Sequence, residues 1–427
     1  MLGTVDLNDS STFKVHLAVI QPATFCNIDC KYCYLADRQA NRKMTLQTAE
    51  QAFRFLFGKP ERLNEKLVIA WHCGEPLAVP LDFYKSVLQR LQEMAGDMVK
   101  IENSVQTNAT LITQEWCDFI KEWDIKIGVS IDGPQWLHDA NRVDRAGRGT
   151  FKSVLRGIDL LRANNIDFST ICVLSDRSLD FPEEMWSFYK SLGVKSMAFN
   201  CEDIEGEHLS SSLNETAPAR VQAFFERLLH LRSGKGPEVS IRELDYFFQG
   251  IPQWHKDFRR IENVPLCIIG IAWNGDISTF SPELMGRKDE RYGDFVFGNV
   301  ATATLESVLA HPQFRVVYRD IAAGVQQCRK KCGYYSICGG GSPSTKLSQN
   351  GTFDSTETLA CKLRIKTIGG LAMEFLEKSC GFSSGSAQSA RERVDHLLPV
   401  INSAAMRAPA ASVKQKRPGQ LQESSTG

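Results

Sequence analysis

The stretch QPATFCNIDCKYCYLAD, residues 21–37, sets Cys26, Cys30 and Cys33 in a C-x3-C-x2-C spacing directly after the apolar run VHLAVI at 15–20. The apolar run reads as a strand and the cysteine stretch after it as a loop. A short loop carrying three thiolates can wrap one face of a cubane iron–sulfur cluster, and three ligands for four irons leave one iron open to a small molecule. A structural zinc site with a distant fourth ligand is the alternative, although zinc modules favour paired C-x2-C knuckles.

Outward from this loop, β-rich runs alternate with amphipathic ones. Strands are expected at 15–20, 66–73, 100–107, 125–131, 167–174 and 196–202, and helices at 45–58, 81–94, 113–123, 151–164 and 181–193. This alternation predicts an α/β fold, a partial (β/α)6 TIM-like barrel with its site at the C-terminal ends of the strands. The cysteine loop follows the first strand, as that rule requires. The expected boundaries are an extension at 1–14, a barrel core at 15–204, a helical connector at 205–260, a cysteine-bearing region at 261–380 and a disordered tail at 381–427, relieved by a short helix at ARERVDHLLPVI. The tail collapses into Ser, Ala, Gly, Gln and Lys, too polar to bury a core.

Fifty basic and fifty acidic residues balance, so bulk charge argues for neither a nucleic-acid groove nor an anionic membrane surface. No long apolar run suggests a membrane span, and the first fourteen residues lack an apolar signal core, which predicts a cytoplasmic protein. Thirteen cysteines are then too many for disulfides in a reducing compartment, and metal ligation explains most of them. Cys117, Cys172, Cys201 and Cys380 read as small core residues.

The C-x3-C-x2-C loop after a first barrel strand is similar to that of the radical S-adenosylmethionine (SAM) enzymes. The resemblance implies that Cys26, Cys30 and Cys33 bind a [4Fe–4S] cluster whose fourth iron SAM chelates, and that Tyr32 sits against the adenine. Cys73-Gly74-Glu75-Pro76 resembles the family's Gly-Gly-Glu-Pro segment, which implies contact with the SAM amino group, with Cys73 in place of the first glycine. SVQTNAT and VSIDGP resemble the next two strand ends, placing Ser130 and Asp132 at the barrel mouth, and Arg142 resembles the arginine that pairs with the SAM carboxylate.

A second set, Cys328, Cys332, Cys338 and Cys361, is spaced x3, x5 and x22 and supplies four ligands; tetrahedral zinc is again the alternative. This region resembles the SPASM (twitch-like) extension of peptide-modifying radical SAM enzymes. The Cys328 to Cys332 gap is one residue longer than the family's. Of the extension's other cluster only Cys267 remains, with Phe280 and Ser342 where cysteines are expected, so two clusters are predicted, one catalytic and one auxiliary, with Cys267 unassigned.

WNGDISTFSPELMG, YGDFVFGNV and CGGGSPSTKLSQNGTFDSTETLAC are similar to segments of cyclophane-forming peptide maturases, including those acting on glycine-rich-repeat precursors. The resemblance implies a ribosomally made precursor peptide, and a carbon–carbon bond between an aromatic ring and the Cβ of a residue two positions away, made through a 5′-deoxyadenosyl radical. An auxiliary cluster accepts the electron released when the ring regains aromaticity, and a base takes the proton; Asp276, Glu283, Asp354 and Glu357 are the candidates. The electron donor expected is a ferredoxin or flavodoxin. An anaerobic sulfatase-maturing enzyme is the rival, against which stands Phe280-Ser281 where that group carries Cys-Asp. A thioether-forming maturase would keep both auxiliary clusters, and a non-catalytic iron–sulfur protein would not need four strand ends of SAM contacts. With about fourteen residues before the first strand, no N-terminal leader-binding domain is expected.

Overall fold

The computed structural model describes residues 13–233, 239–251 and 260–379. Most of the extension, Cys380, the tail and its expected helix lie outside these residues, as do parts of the connector.

The described residues form eleven strands: β1 Val15–Ile20, β2 Ile28–Cys30, β3 Leu63–Trp71, β4 Lys100–Thr107, β5 Lys126–Ser130, β6 Arg142–Asp144, β7 Phe168–Leu174, β8 Ser196–Cys201, β9 Ser240–Ile241, β10 Ile268–Ile271 and β11 Ile277–Thr279. Nine make one sheet in the order β11-β10-β1-β3-β4-β5-β7-β8-β9, and β2 pairs with β6 in a separate antiparallel ribbon. From β1 through β8 every neighbour in the sheet is parallel. Parallel strands need crossovers, and the helices between them supply these. The six expected strands are all present, in the expected order.

The crossover helices form where apolar residues recur at helical spacing. Leu46–Phe57 buries Ala49, Ala52, Phe53 and Leu56 on one face, and its Thr45 N-cap accepts from Thr48 N. Leu81–Ala95 likewise buries Tyr84, Val87, Leu88 and Leu91. Trp71, Tyr84, Trp116 and Phe119 continue the core as a chain of edge-on rings, with centroids 5.3 to 5.9 Å apart.

At its edges the sheet goes beyond the expectation. β10 runs parallel to β1, pairing Leu17 with Ile268 through Ile20 with Ile271, and β9 adds to β8. The boundaries expected at 204 and 260 therefore do not break the sheet: the cysteine-bearing region contributes two of its strands. The connector holds helices Ala217–Arg232 and Arg242–Gly250. The first of these buries Val221, Phe224, Phe225 and Leu228.

Candidate functional site

Each parallel strand ends at one rim, and the cysteine loop lies across it. Gln21 carries the chain off β1; its side chain donates to Cys73 O at 2.8 Å and accepts from Trp273 N at 3.4 Å, tying the ends of β1, β3 and β10 together. Arg145 donates to Cys26 O at 3.1 Å and to Arg38 O at 2.6 Å, closing the loop from the far side. The β2–β6 ribbon sets Cys30 opposite Arg142. Two donors reach the sulfurs: Asn108 Nδ2 to Cys26 at 3.8 Å and Arg142 Nη1 to Cys30 at 3.8 Å. Burial pushes the Cys26 thiol up to about 12 and Cys30 to about 11, so as free thiols they keep their protons, which metal binding would displace.

Cys26, Cys30 and Cys33 line a cavity of about 540 Å³. Gly74 also lines it, with φ +136° and a backbone packed so close to Ala23 O that a Cβ would collide. Glu75 is buried beside it: Oε1 accepts from Leu77 N at 3.0 Å and Thr107 Oγ1 at 2.6 Å, and Oε2 from Asn108 N at 2.8 Å. Its carboxylate thus clamps the end of β4 to the end of β3, and burial lifts it to about 7 against the pull of those donors. Ser130 accepts from Gln106 Nε2 at 2.9 Å.

Two expected contacts are corrected. Asp132 does not face the mouth but stands behind it, ion-paired to Arg142 at 3.1 Å, accepting from Val173 N at 3.0 Å and hydrogen-bonded by Tyr32. A carboxylate that is 3% exposed needs such donors. Arg142 and Tyr32 do line the cavity, with the guanidinium 5.3 Å from the ring centroid. Cys73 does not line it; its carbonyl is taken by Gln21, and its thiol packs with Val19, Ile268 and Met285 within hydrogen-bond reach of Tyr34, at φ +67° where the resembling motif has glycine.

The second cysteine set also converges. Cys328 is in the last turn of the helix Pro312–Lys331 and Cys332 is its C-cap, with Cys332 N bonded to Cys328 O at 2.8 Å. The x3 gap therefore puts both thiols on one helical face, which accounts for the longer spacing. A turn through Gly339, Gly340 and Gly341, all at positive φ, follows Cys338, and Cys361 opens a π-helical turn, Cys361–Thr367. The four cysteines line a second cavity of about 160 Å³, and Ser342, Thr345, Arg364 and Ile365 line both cavities. Among the described residues no three His, Cys, Asp or Glu side chains converge tightly enough for a single metal ion. The donor chemistry, three thiols on one cavity and four on the other, is that of a cubane cluster, whose thiolates bind separate irons.

Of the four acid–base candidates, Glu283 alone lines the large cavity. Asp276 is held by Asn274 at 2.7 Å and Asn299 at 2.9 Å in a loop away from it, exposed Asp354 accepts from Gln327 at 2.6 Å, and Glu357 pairs with Lys366 beside the second cavity. Cys267 is buried, with its carbonyl accepting from His16 N at 3.0 Å, and Phe280 stacks on Phe314 at 5.6 Å in the core.

Sequence reasoning missed Glu205. It follows β8 and lines the large cavity, with Oε1 accepting from Ser344 at 2.8 Å and Thr345 at 3.0 Å. Burial, then the neighbouring charges of Glu283 and Asp203, push it up to about 8. His72, also on the wall, is held neutral by burial at about 4, and its Nδ1 has no hydrogen-bond partner.

Compared with known proteins, residues 20–210 match the family described as the Radical SAM superfamily. An uncharacterized protein of Synechocystis sp. is 37% identical over 384 residues, 88% of this chain and 96% of that protein. A serine-type anaerobic sulfatase-maturating enzyme of Bacteroides thetaiotaomicron is 34% identical over 200 residues, 44% of this chain and 47% of that enzyme, so the match spans about half of it. Among solved structures, anSMEcpe with bound AdoMet and Cp18Cys peptide superposes with a TM-score of 0.66 at 20% identity, over 91% of this chain and 99% of that one, a likeness of fold. No helix of the described residues is long and apolar enough to cross a membrane.

Proposed function

Because this chain belongs to the radical SAM superfamily, we propose that it modifies a ribosomally made precursor peptide, joining an aromatic ring to the Cβ of a residue two positions away. The observation that carries this reading is the wall that the two cysteine-lined cavities share at Ser342, Thr345, Arg364 and Ile365, with Glu205 and Glu283 on the wall of the larger. The sulfatase-maturating relatives and a peptide-bound structure of the same fold support a peptide substrate.

Cys26, Cys30 and Cys33 hold the catalytic [4Fe–4S] cluster, and Cys328, Cys332, Cys338 and Cys361 the auxiliary one. When bound, the first cluster and SAM supply a carbon radical able to take a Cβ hydrogen, and the second supplies a one-electron acceptor; a ferredoxin or flavodoxin feeds the first. The chain's own residues orient and move protons around that chemistry. Gly74 lets the loop and the β3 end approach closely, Glu75 fixes the β3 and β4 ends, and Arg142, backed by Asp132, presents its guanidinium to the cavity beside Tyr32, where it suits a carboxylate. Ring closure releases a proton, and Glu205, whose Oε2 has no hydrogen-bond donor among the described residues, is the group placed to take it.

Side-chain oxidation of the sulfatase-maturating kind is the rival. Against it stands Phe280, buried in the ring stack with Phe314 and Tyr318 rather than offering a thiol to a cluster. The test is anaerobic co-expression with small peptides encoded beside the gene, followed by intact mass and fragmentation. Loss of two hydrogens, with fragmentation blocked across a three-residue aromatic segment, is expected. An aldehyde at a Ser or Cys would give the rival the site, and unchanged mass despite 5′-deoxyadenosine formation would remove the peptide assignment.

A further inference from the structure

The four-cysteine cavity is rimmed by cations, and their partners differ. Arg260 pairs with Glu262, Lys366 pairs with Glu357, and Arg364 donates to Cys201 O at 3.2 Å and faces Asp203. Lys346 has no such carboxylate. It is 3% exposed on the helix Pro343–Asn350, and its ammonium donates to Cys328 Sγ at 3.5 Å. No carboxylate of the described residues is ion-paired with it. A buried ammonium without a counter-charge is strongly unfavourable. The missing negative charge has to reside on the cysteine side of the contact, where four thiolates around iron and sulfide carry a net negative charge in either redox state.

We propose that Lys346 is a positioning residue that acts through Cys328 to raise the reduction potential of the cluster held by Cys328, Cys332, Cys338 and Cys361. The inference rests on reading those four cysteines as an iron–sulfur ligand set. Reduction adds one electron and so one negative charge, and a fixed ammonium within hydrogen-bond reach of a ligand sulfur favours the reduced state more than the oxidised one. That is the direction needed of a cluster that receives an electron from a substrate radical. Arg364 and Arg260 carry their charge on the same wall but share it with Asp203 and Glu262, and Lys331 stands exposed to water, which leaves Lys346 as the buried cation without a carboxylate partner among the described residues.

The test needs no substrate. In the full chain with Cys26, Cys30 and Cys33 replaced by Ala, so that only the four-cysteine site can load, iron is counted after anaerobic reconstitution and the cluster is titrated with dithionite against mediator dyes, followed by electron paramagnetic resonance. K346M and K346Q are expected to keep about four irons and to shift the one-electron equilibrium toward the oxidised state by tenfold or more, which is about 59 mV more negative per tenfold. K346R, which keeps the charge, is expected to stay near the parent. An unchanged midpoint in K346M with iron retained would overturn the proposal. So would loss of iron from both K346M and K346Q while K346R retains it, since Lys346 would then serve assembly. A parent that loads zinc and no iron would instead bring down the reading of the four cysteines, a result distinct from either.

Discussion

Glu205 lies in the run EDIEGEHL at 202–209, where neither spacing nor neighbours mark it out. What makes it special is long-range: Ser344 and Thr345, more than a hundred residues on, hydrogen-bond one oxygen, Gly206 at φ +53° holds the loop against Tyr34 O, and Glu283 crowds it from a third segment. E205Q is expected to leave 5′-deoxyadenosine formation intact while crosslinked product falls by about 10²-fold or more, both read by mass spectrometry; product at the parental level would remove Glu205 from the reaction. The pH dependence has a definite sign. With its pKa raised to about 8, Glu205 is protonated below that and cannot accept a proton, so product per 5′-deoxyadenosine should climb as pH rises through about 8. Burial, Glu283 and Asp203 raise that value, while Arg364 and the Ser344 hydroxyl lower it. E283Q removes a raising charge and should move the limb to lower pH. That two cysteine sets gather around cavities was legible, by contrast, because Cys26, Cys30 and Cys33, and then Cys328, Cys332 and Cys338, recur at short spacings, with Cys361 joining from a later segment, whereas Cys73 misled because its motif neighbours Gly74 and Glu75 line the cavity while its own thiol is buried behind Tyr34.

At the scale of elements, helices with a clean apolar stripe and strands with β-branched runs were readable to within a few residues: β4 falls on its expected range, and the helix at Leu81–Ala95 gains one residue. The short strands β2, β6, β9, β10 and β11 were not, because two to four residues carry no period of their own and exist only through their partners. The β2–β6 ribbon shows what such pairing does, since it delivers Arg142 to Asp132. R142M would strand a buried carboxylate and should cost about 3–5 kcal/mol. D132N with R142M should recover part of that, a coupling that thermal unfolding of the two singles and the double would reveal. Gly324, within Pro312–Lys331, poses a sign question. Alanine should gain about 1 kcal/mol in a helix interior, but here a Cβ would collide with Phe353 O and crowd Ser355 backbone. Overpacking against backbone costs about 1–3 kcal/mol or more, so G324A should destabilise and, by shifting the turn that carries Cys328, lower iron at the four-cysteine site. A Tm at or above the parent's would show that the loop yields.

Across the whole molecule the sheet decides what can exist alone. β10 covers the edge of β1, and β11 in turn covers β10, with Ile268, Ile269 and Ile271 buried among residues of both regions. A chain ended at residue 260 would therefore bare the hydrogen-bonding edge of β1 along Leu17 to Ile20, next to the loop that carries Cys26, Cys30 and Cys33. Exposed, apolar edges pair with other chains. The expectation is that this shortened chain aggregates or fails to hold its first cluster, although every residue of the cysteine loop is present. The intact chain should melt in one transition, with Cys361→Ala removing about four of about eight irons while leaving that single transition in place. A soluble, iron-loaded 1–260 fragment that cleaves SAM at the parental rate would mean that the strand pairing between regions is ornamental. In that case the two cysteine sites would be separable modules, and the wall their cavities share at Ser342, Thr345, Arg364 and Ile365 could not be what selects this chemistry.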